Sequence, residues 1–258
     1  MAGTRNIDDV LHFRNDISPF LVHLTKSLRD GNGAITTAAK DVLDGILTAK
    51  EVQSSGKQIA ASWFGTNQFN TTPVETARFY SAACFTETPL AEVHTMLDIA
   101  NRQIDLEPYG IVFLKDNLRE LGVSPVWYLN NYPNNMQQVA TALGTLATSH
   151  PAEAEVILPL ISCFGNPIVF PGQRGNPPPA ANDIDFYWER EWRMPHVRCP
   201  VRFTWDDVFV GLCPEAHIAY FEGKFAPIGF IDPQRTMKWY ATKLIDARQR
   251  LNLKHSVV

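Results

Sequence analysis

The densest run of chemistry-bearing side chains is Tyr187-Trp188-Glu189-Arg190-Glu191-Trp192-Arg193. On a strand, two-residue alternation puts Glu189, Glu191 and Arg193 on one face and Trp188, Arg190 and Trp192 on the other. Two carboxylates side by side repel unless a cation or ligand compensates. Two readings follow: a solvated edge-strand face where Arg193 neutralises part of the charge, or an acidic pair in a cleft with one carboxylate aimed at a sugar hydroxyl. In Phe20-Leu21-Val22-His23-Leu24-Thr25, His23 and Thr25 share a face. That histidine is either a satisfied core residue or a group that hydrogen-bonds a ribose or an amide. Cys84-Phe85-Thr86-Glu87-Thr88-Pro89-Leu90 reads as a buried strand entering a polar turn, with Thr88 placed to cap a helix starting at Pro89. His196-x2-Cys199 and Cys213-x3-His217 have zinc-like ligand types and intervals. Pro214 interrupts the second pair and both flank segments that read as core, so no metal is expected and a zinc-dependent nuclease is a distant rival. The phosphate loops GxGxxG and GxxxxGK followed by Ser or Thr are absent, as is a GxSxG elbow.

These side chains need elements to hold them. Residues 17–25 read as a strand, and 38–51 as an amphipathic helix with apolar residues at 39, 42, 43, 46 and 47. A short buried strand at 82–86 is stopped by Pro89, and 90–104 reads as a helix. Strands are expected at 109–114 and 125–129, separated by a helix over 115–121 that Gly122 ends. Helices are expected at 135–148 and 152–164, then a polar loop at 172–182 carrying three consecutive prolines. Strands at 184–193, 207–212 and 227–231 and a helix at 234–251 complete the pattern. Short strands interleaved with helices fit an α+β fold better than a doubly wound sheet, which needs longer apolar strands.

The chain has 258 residues, 45% of them hydrophobic and 19% charged, a globular balance that excludes wholesale disorder. Its net charge of −4 argues against a basic nucleic-acid coat but not against a local basic groove. Four scattered cysteines without a CxxC pair give no disulfide framework. Residues 1–16 lack the apolar core of a signal peptide, and no run approaches the roughly 18 apolar residues of a spanning helix. A cytoplasmic protein with free thiols is the expectation.

Taken in order, His23-Leu24-Thr25, Gly45-Ile46-Leu47, Cys84 to Leu90, Tyr109-Gly110 with Phe113 and Lys115, and Glu189 to Arg193 resemble the AbiGi family of bacterial abortive phage infection, often labelled antitoxins. The resemblance covers about residues 17–212. The same order looks like the ADP-ribosyltransferase superfamily, especially its DarT-like branch. That resemblance implies an α+β fold with a split mixed β-sheet core and flanking helices, and a single domain over 1–258 with the 172–182 loop inside it. It implies that His23 and Thr25 hold NAD, that Phe85 with Tyr80 or Tyr109 stacks on nicotinamide, and that Glu191 is catalytic. Glu189 would orient the acceptor, and Arg193 or Arg190 would bind the pyrophosphate. The loop at 172–182 occupies the place of an acceptor-recognition loop. A clear Ser-Thr-Ser signature is missing.

The implied activity is that of an NAD-dependent mono-ADP-ribosyltransferase toxin in phage defence or a toxin–antitoxin system. Its partners would be NAD, as substrate, an RNA, DNA or protein acceptor, and a cognate antitoxin, with no membrane. Arg174, Arg190, Arg193, Arg198 and Arg202 would line a local groove if the acceptor is nucleic acid. The alternative is a non-enzymatic antitoxin or regulator that binds a partner toxin, with the acids and aromatics forming a protein interface.

Overall fold

The computed structural model describes residues 17–54, 79, 81–98, 106–129, 136–163 and 186–253. The chain is α+β, with a seven-stranded, mostly antiparallel sheet and several helices. Strand β1 (Phe20–Leu24) leads to the short β2 (Leu28–Arg29) and β3 (Ile35–Thr37), helix α1 (Ala39–Ala49) and β4 (Glu51–Val52). Then come β5 (Ala82–Thr86), β6 (Gly110–Leu114), α2 (Lys115–Glu120), β7 (Ser124–Pro125) and β8 (Trp127–Leu129). Helices α3 (Met136–Ser149) and α4 (Pro151–Ile157) precede β9 (Ile161–Cys163), β10 (Glu191–Pro195) and β11 (Val201–Arg202). The last elements are β12 (Val208–Leu212), α5 (Ile218–Lys224), β13 (Phe230–Ile231) and α6 (Ala241–Arg250).

The chain divides into two compact units. Unit one is Met1–Lys50, Thr86–Glu120 and Phe203–Val258; unit two is Glu51–Phe85 and Leu121–Arg202.

In unit one the strands run β13–β12–β6–β1, with Val22 of β1 opposite Thr86. Strand β1 is antiparallel to β6 along its whole length, Phe20 facing Leu114 and Leu24 facing Gly110. The sequences of β6 (GIVFL) and β12 (VFVGL) are continuous apolar runs, as expected of strands covered on both faces, and nearly every residue in them is buried. Helix α1 lays Ala39, Leu43 and Leu47 along one buried stripe at four-residue spacing. It stops at Lys50, whose left-handed backbone closes the last turn on the Ile46 carbonyl. The core joins Phe20, Val22, Val112, Phe209 and Ile231 to Tyr240, Leu244 and Ala247 from the C-terminal helical segment. Gly110 is required where it stands, because a Cβ there would collide with the carbonyl oxygen of His23.

In unit two the strands run β5–β10–β7, β8 pairs in parallel with β9, and β4 pairs with β11. Its core is Phe79, Ala147, Ala154, Leu158 and Ile161, with Leu143, Leu146 and Ile157 packed around it.

Several sequence expectations need correction. The strand expected over 184–193 is a 3-10 turn, Phe186–Glu189, followed by β10 from Glu191. Arg190 between them has φ 46°, so the two acids do not alternate along one extended face. The helix expected over 152–164 ends at Ile157 and passes through a 3-10 turn, Leu158–Leu160, into β9, because Pro159 cannot continue an α-helix. The strand expected over 125–129 splits into β7 and β8, which pair in different sheets. The helix expected from residue 90 is a 3-10 segment, Leu90–Met96, that Pro89 opens without a side-chain cap. Thr88 turns away from that capping role, with its hydroxyl on that of Thr86 at 2.7 Å. The helix expected over 234–251 is a 3-10 turn, Met237–Tyr240, continued by α6. Among the described residues no helix is long and apolar enough to cross a membrane. The 172–182 loop, Tyr80 and Arg174 lie outside the described residues.

Candidate functional site

Unit two gathers the ionic residues that the sequence singles out. Strand β10 begins at Glu191, directly after the left-handed Arg190, whose backbone N–H donates back to the Tyr187 carbonyl at 3.1 Å. The Val126 N–H donates to the Glu191 carbonyl at 2.9 Å, and Trp192 and Arg193 register against Pro125 and Ser124 of β7. Two-residue alternation then puts the side chains of Glu191 and Arg193 on one side of β10. There they meet as a fork: Arg193 Nε donates to Glu191 Oε1 at 2.9 Å and Nη2 donates to Oε2 at 2.6 Å.

Arg193 is 1% exposed, unusual for arginine unless every donor has work. Its Nη1 donates to the Pro159 carbonyl at 2.8 Å and the Ile161 carbonyl at 3.1 Å. Four of its five N–H groups are thus committed inside unit two. Burial works against the guanidinium charge, but the Glu191 carboxylate outweighs it and holds Arg193 above its ordinary value. The Glu191 side chain is 15% exposed against 2% for Arg193.

Two neighbours complete this site. The backbone N–H of Glu191 donates to Tyr128 Oη at 3.1 Å. Burial, reinforced by the Glu191 charge, pushes the Tyr128 phenol well up, so it stays protonated through neutral pH. Tyr128 also packs edge-on against Tyr187, ring centroids 5.5 Å apart. The Cys84 thiol is pushed well up by burial and then by the Glu191 charge, which keeps it a protonated, weakly nucleophilic group. Glu189, at the end of the 3-10 turn, is buried. The solvated edge-strand reading of this acidic run is therefore set aside, because Glu189 and Arg193 are both buried. Phe85, expected to stack on nicotinamide, is a buried residue of β5 in the same unit.

His23, Thr25 and Tyr109 belong to unit one. His23 sits on β1 opposite Ile111 and is partly buried. Thr25 is buried, with its hydroxyl 3.2 Å from the carbonyls of both Ala39 and Tyr109. Its N–H donates to the Tyr109 carbonyl at 2.8 Å. These bonds tie the end of β1 to the start of α1 and to the residue before β6. The Tyr109 hydroxyl pairs with His217 Nδ1 at 2.8 Å, and the two rings stack.

Sequence reasoning missed the roles of Tyr128 and Cys84. Cys84 was legible as the residue of β5 that alternation points away from buried Ala83 and Phe85; Tyr128 left no such signal. Among the described residues no group of three or more His, Cys, Asp or Glu could hold a metal ion. No protein-family model, curated protein or solved structure matches this chain.

Proposed function

We propose that this chain is an NAD-dependent mono-ADP-ribosyltransferase with a split mixed β-sheet core, acting in the cytoplasm as the toxin of a phage-defence or toxin–antitoxin system. The observation that carries this reading is the Glu191 carboxylate, gripped through both oxygens by a buried arginine, on a side chain that remains 15% exposed. A carboxylate offers about four lone-pair sites and Arg193 takes two of them. The Cys84 thiol hydrogen-bonds the same carboxylate, and the lone-pair site that remains is the one this reading gives to a ribose hydroxyl.

In the reaction the bond between ribose C1′ and the nicotinamide nitrogen breaks and its electron pair leaves with nicotinamide. Positive charge grows on the ribose, and a fixed carboxylate on the 2′-hydroxyl stabilises it, as carboxylates do in glycoside cleavage. An acceptor nucleophile of RNA, DNA or protein then bonds to C1′ and gives up its proton. Glu189, two residues before Glu191, is the acid assigned to orienting the acceptor. Within unit two, Arg190 is the group for the pyrophosphate and Phe85 one of those for the nicotinamide.

Glu191→Gln is expected to lower nicotinamide release from NAD by about 10²-fold or more. Release by the variant at the wild-type rate would overturn the assignment. The rival reading is a non-enzymatic regulator, favoured by the exposure of Trp127 and Tyr187 in unit two, aromatics of the kind that anchor protein interfaces. A wild-type protein that neither releases nicotinamide nor harms cells when expressed alone would decide for that rival.

A further inference from the structure

A carboxylate that must meet a growing charge has to be aimed as well as present. Glu191 is aimed by two contacts, one from Arg193 on the same strand and one from Tyr128 on β8. Arg193 fixes the plane of the carboxylate through Nε and Nη2, and it is itself pinned through Nη1 to the carbonyls of Pro159 and Ile161. Tyr128 fixes the backbone end of the same residue by accepting its N–H. A planar guanidinium that spans a carboxylate on one edge and two carbonyls on another has no rotational freedom left. The 3-10 turn Leu158–Leu160 supplies one of those carbonyls because Pro159 breaks the helix there, and β9 supplies the other at its first residue.

We propose that Arg193 is a positioning residue for the reaction at Glu191, transmitting the placement of the Leu158–Ile161 segment to the carboxylate, with Tyr128 as its backbone counterpart. This rests on the reading of Glu191 as the catalytic acid. It assigns Arg193 a duty other than binding pyrophosphate. It also explains why an arginine is needed: a lysine keeps the charge but is a point donor that cannot bridge both carboxylate oxygens and two carbonyls at once.

The test is a double-mutant cycle on nicotinamide release with four proteins: wild type, Arg193→Lys, Glu191→Gln and the pair, with circular dichroism confirming that each is folded. A residue that acts through Glu191 has nothing to act on once Glu191 is gone. Arg193→Lys is therefore expected to lower kcat about tenfold, with KM for NAD changed less than about twofold, in the wild-type background. In the Glu191→Gln background the same change should alter kcat less than about twofold. An equal fall in both backgrounds, or a rise confined to KM, overturns the positioning role and leaves the enzyme reading standing. Wild-type kcat in Glu191→Gln, or no release by wild type, overturns the enzyme reading itself. If Arg193→Lys does not fold, Tyr128→Phe replaces it in the same cycle, with the same non-additive fall expected and an additive fall counting against the role.

Discussion

Among the described residues, an ion pair in each unit is largely shielded from water, and the two are built differently. In unit one Lys115 reaches Glu87 Oε1 at 3.0 Å and the Ser18 carbonyl at 2.5 Å. In unit two Arg193 takes both oxygens of Glu191 and two carbonyls besides. The lysine pair is a tether: a point donor on the Glu87 carboxylate and the Ser18 carbonyl joins chain segments without gripping both carboxylate oxygens. The arginine pair sets the plane. A structural tie needs only the first kind, whereas a carboxylate that must face a particular hydroxyl needs the second. The surroundings differ in the same sense. The burial that surrounds Arg193 also shifts Cys84 and Tyr128 upward, and clusters of perturbed groups mark functional sites more often than isolated pairs do.

The contrast can be broken by removing one cation at a time. Arg193→Met removes the donors that Arg193 supplies to a carboxylate and two buried carbonyls, and is expected to lower stability by about 3–5 kcal/mol in urea denaturation. Lys115→Met strands one carboxylate contact and one carbonyl, with an expected loss of about 1–3 kcal/mol. A larger loss at Lys115 than at Arg193 would reverse the comparison.

A third, more exposed pair sharpens the lower end of the scale. Asp44 accepts from Lys224 Nζ at 2.6 Å and from Tyr220 Oη at 2.8 Å, on the surface of unit one. Burial works against the Asp44 charge, but hydrogen bonds from Lys224 and Tyr220 outweigh it and hold the carboxyl below its ordinary value. A carboxyl lowered on folding adds stability above its unfolded value of about 3.9 and loses it as pH falls through the folded value. Asp44→Asn should thus destabilise slightly at pH 7, by less than either buried pair, and not at all once pH is below both values. Thermal melts at the two pH values read this directly, and a loss that persists in acid would contradict it.

The sequence made the local elements legible where one signal dominated. Residues 82–86 are a strand to the residue, the stripe at 39, 43 and 47 is a helix face, and Gly122 with φ 98° ends the helix over 115–120. It failed where a non-local contact decides. Nothing local marks Arg190 for a left-handed backbone, since glycine or asparagine is the usual tenant there. Without that turn, residues 184–193 read as one strand and Glu189 and Glu191 as an alternating pair. The apolar run before Phe164 suits a helix or a strand equally, and Pro159 with the packing of unit two decides between them. The pairing of Glu191 with Arg193 was legible as an i, i+2 spacing; the burial of Arg193 was not, because its other acceptors lie 34 and 32 residues earlier. Thr25 repeats the lesson: its hydroxyl faces carbonyls 14 and 84 residues away.

The central claim is that Glu191 drives transfer of ADP-ribose from NAD to a macromolecule. Its most direct test is incubation of wild type and Glu191→Gln with NAD labelled in the ADP-ribose part and a cell extract, followed by separate nuclease and protease digestion. Label that enters macromolecules with wild type, is lost to one of the two digestions and is at least about 10²-fold weaker with Glu191→Gln is the predicted result. No label with wild type, or equal label with the variant, would contradict it.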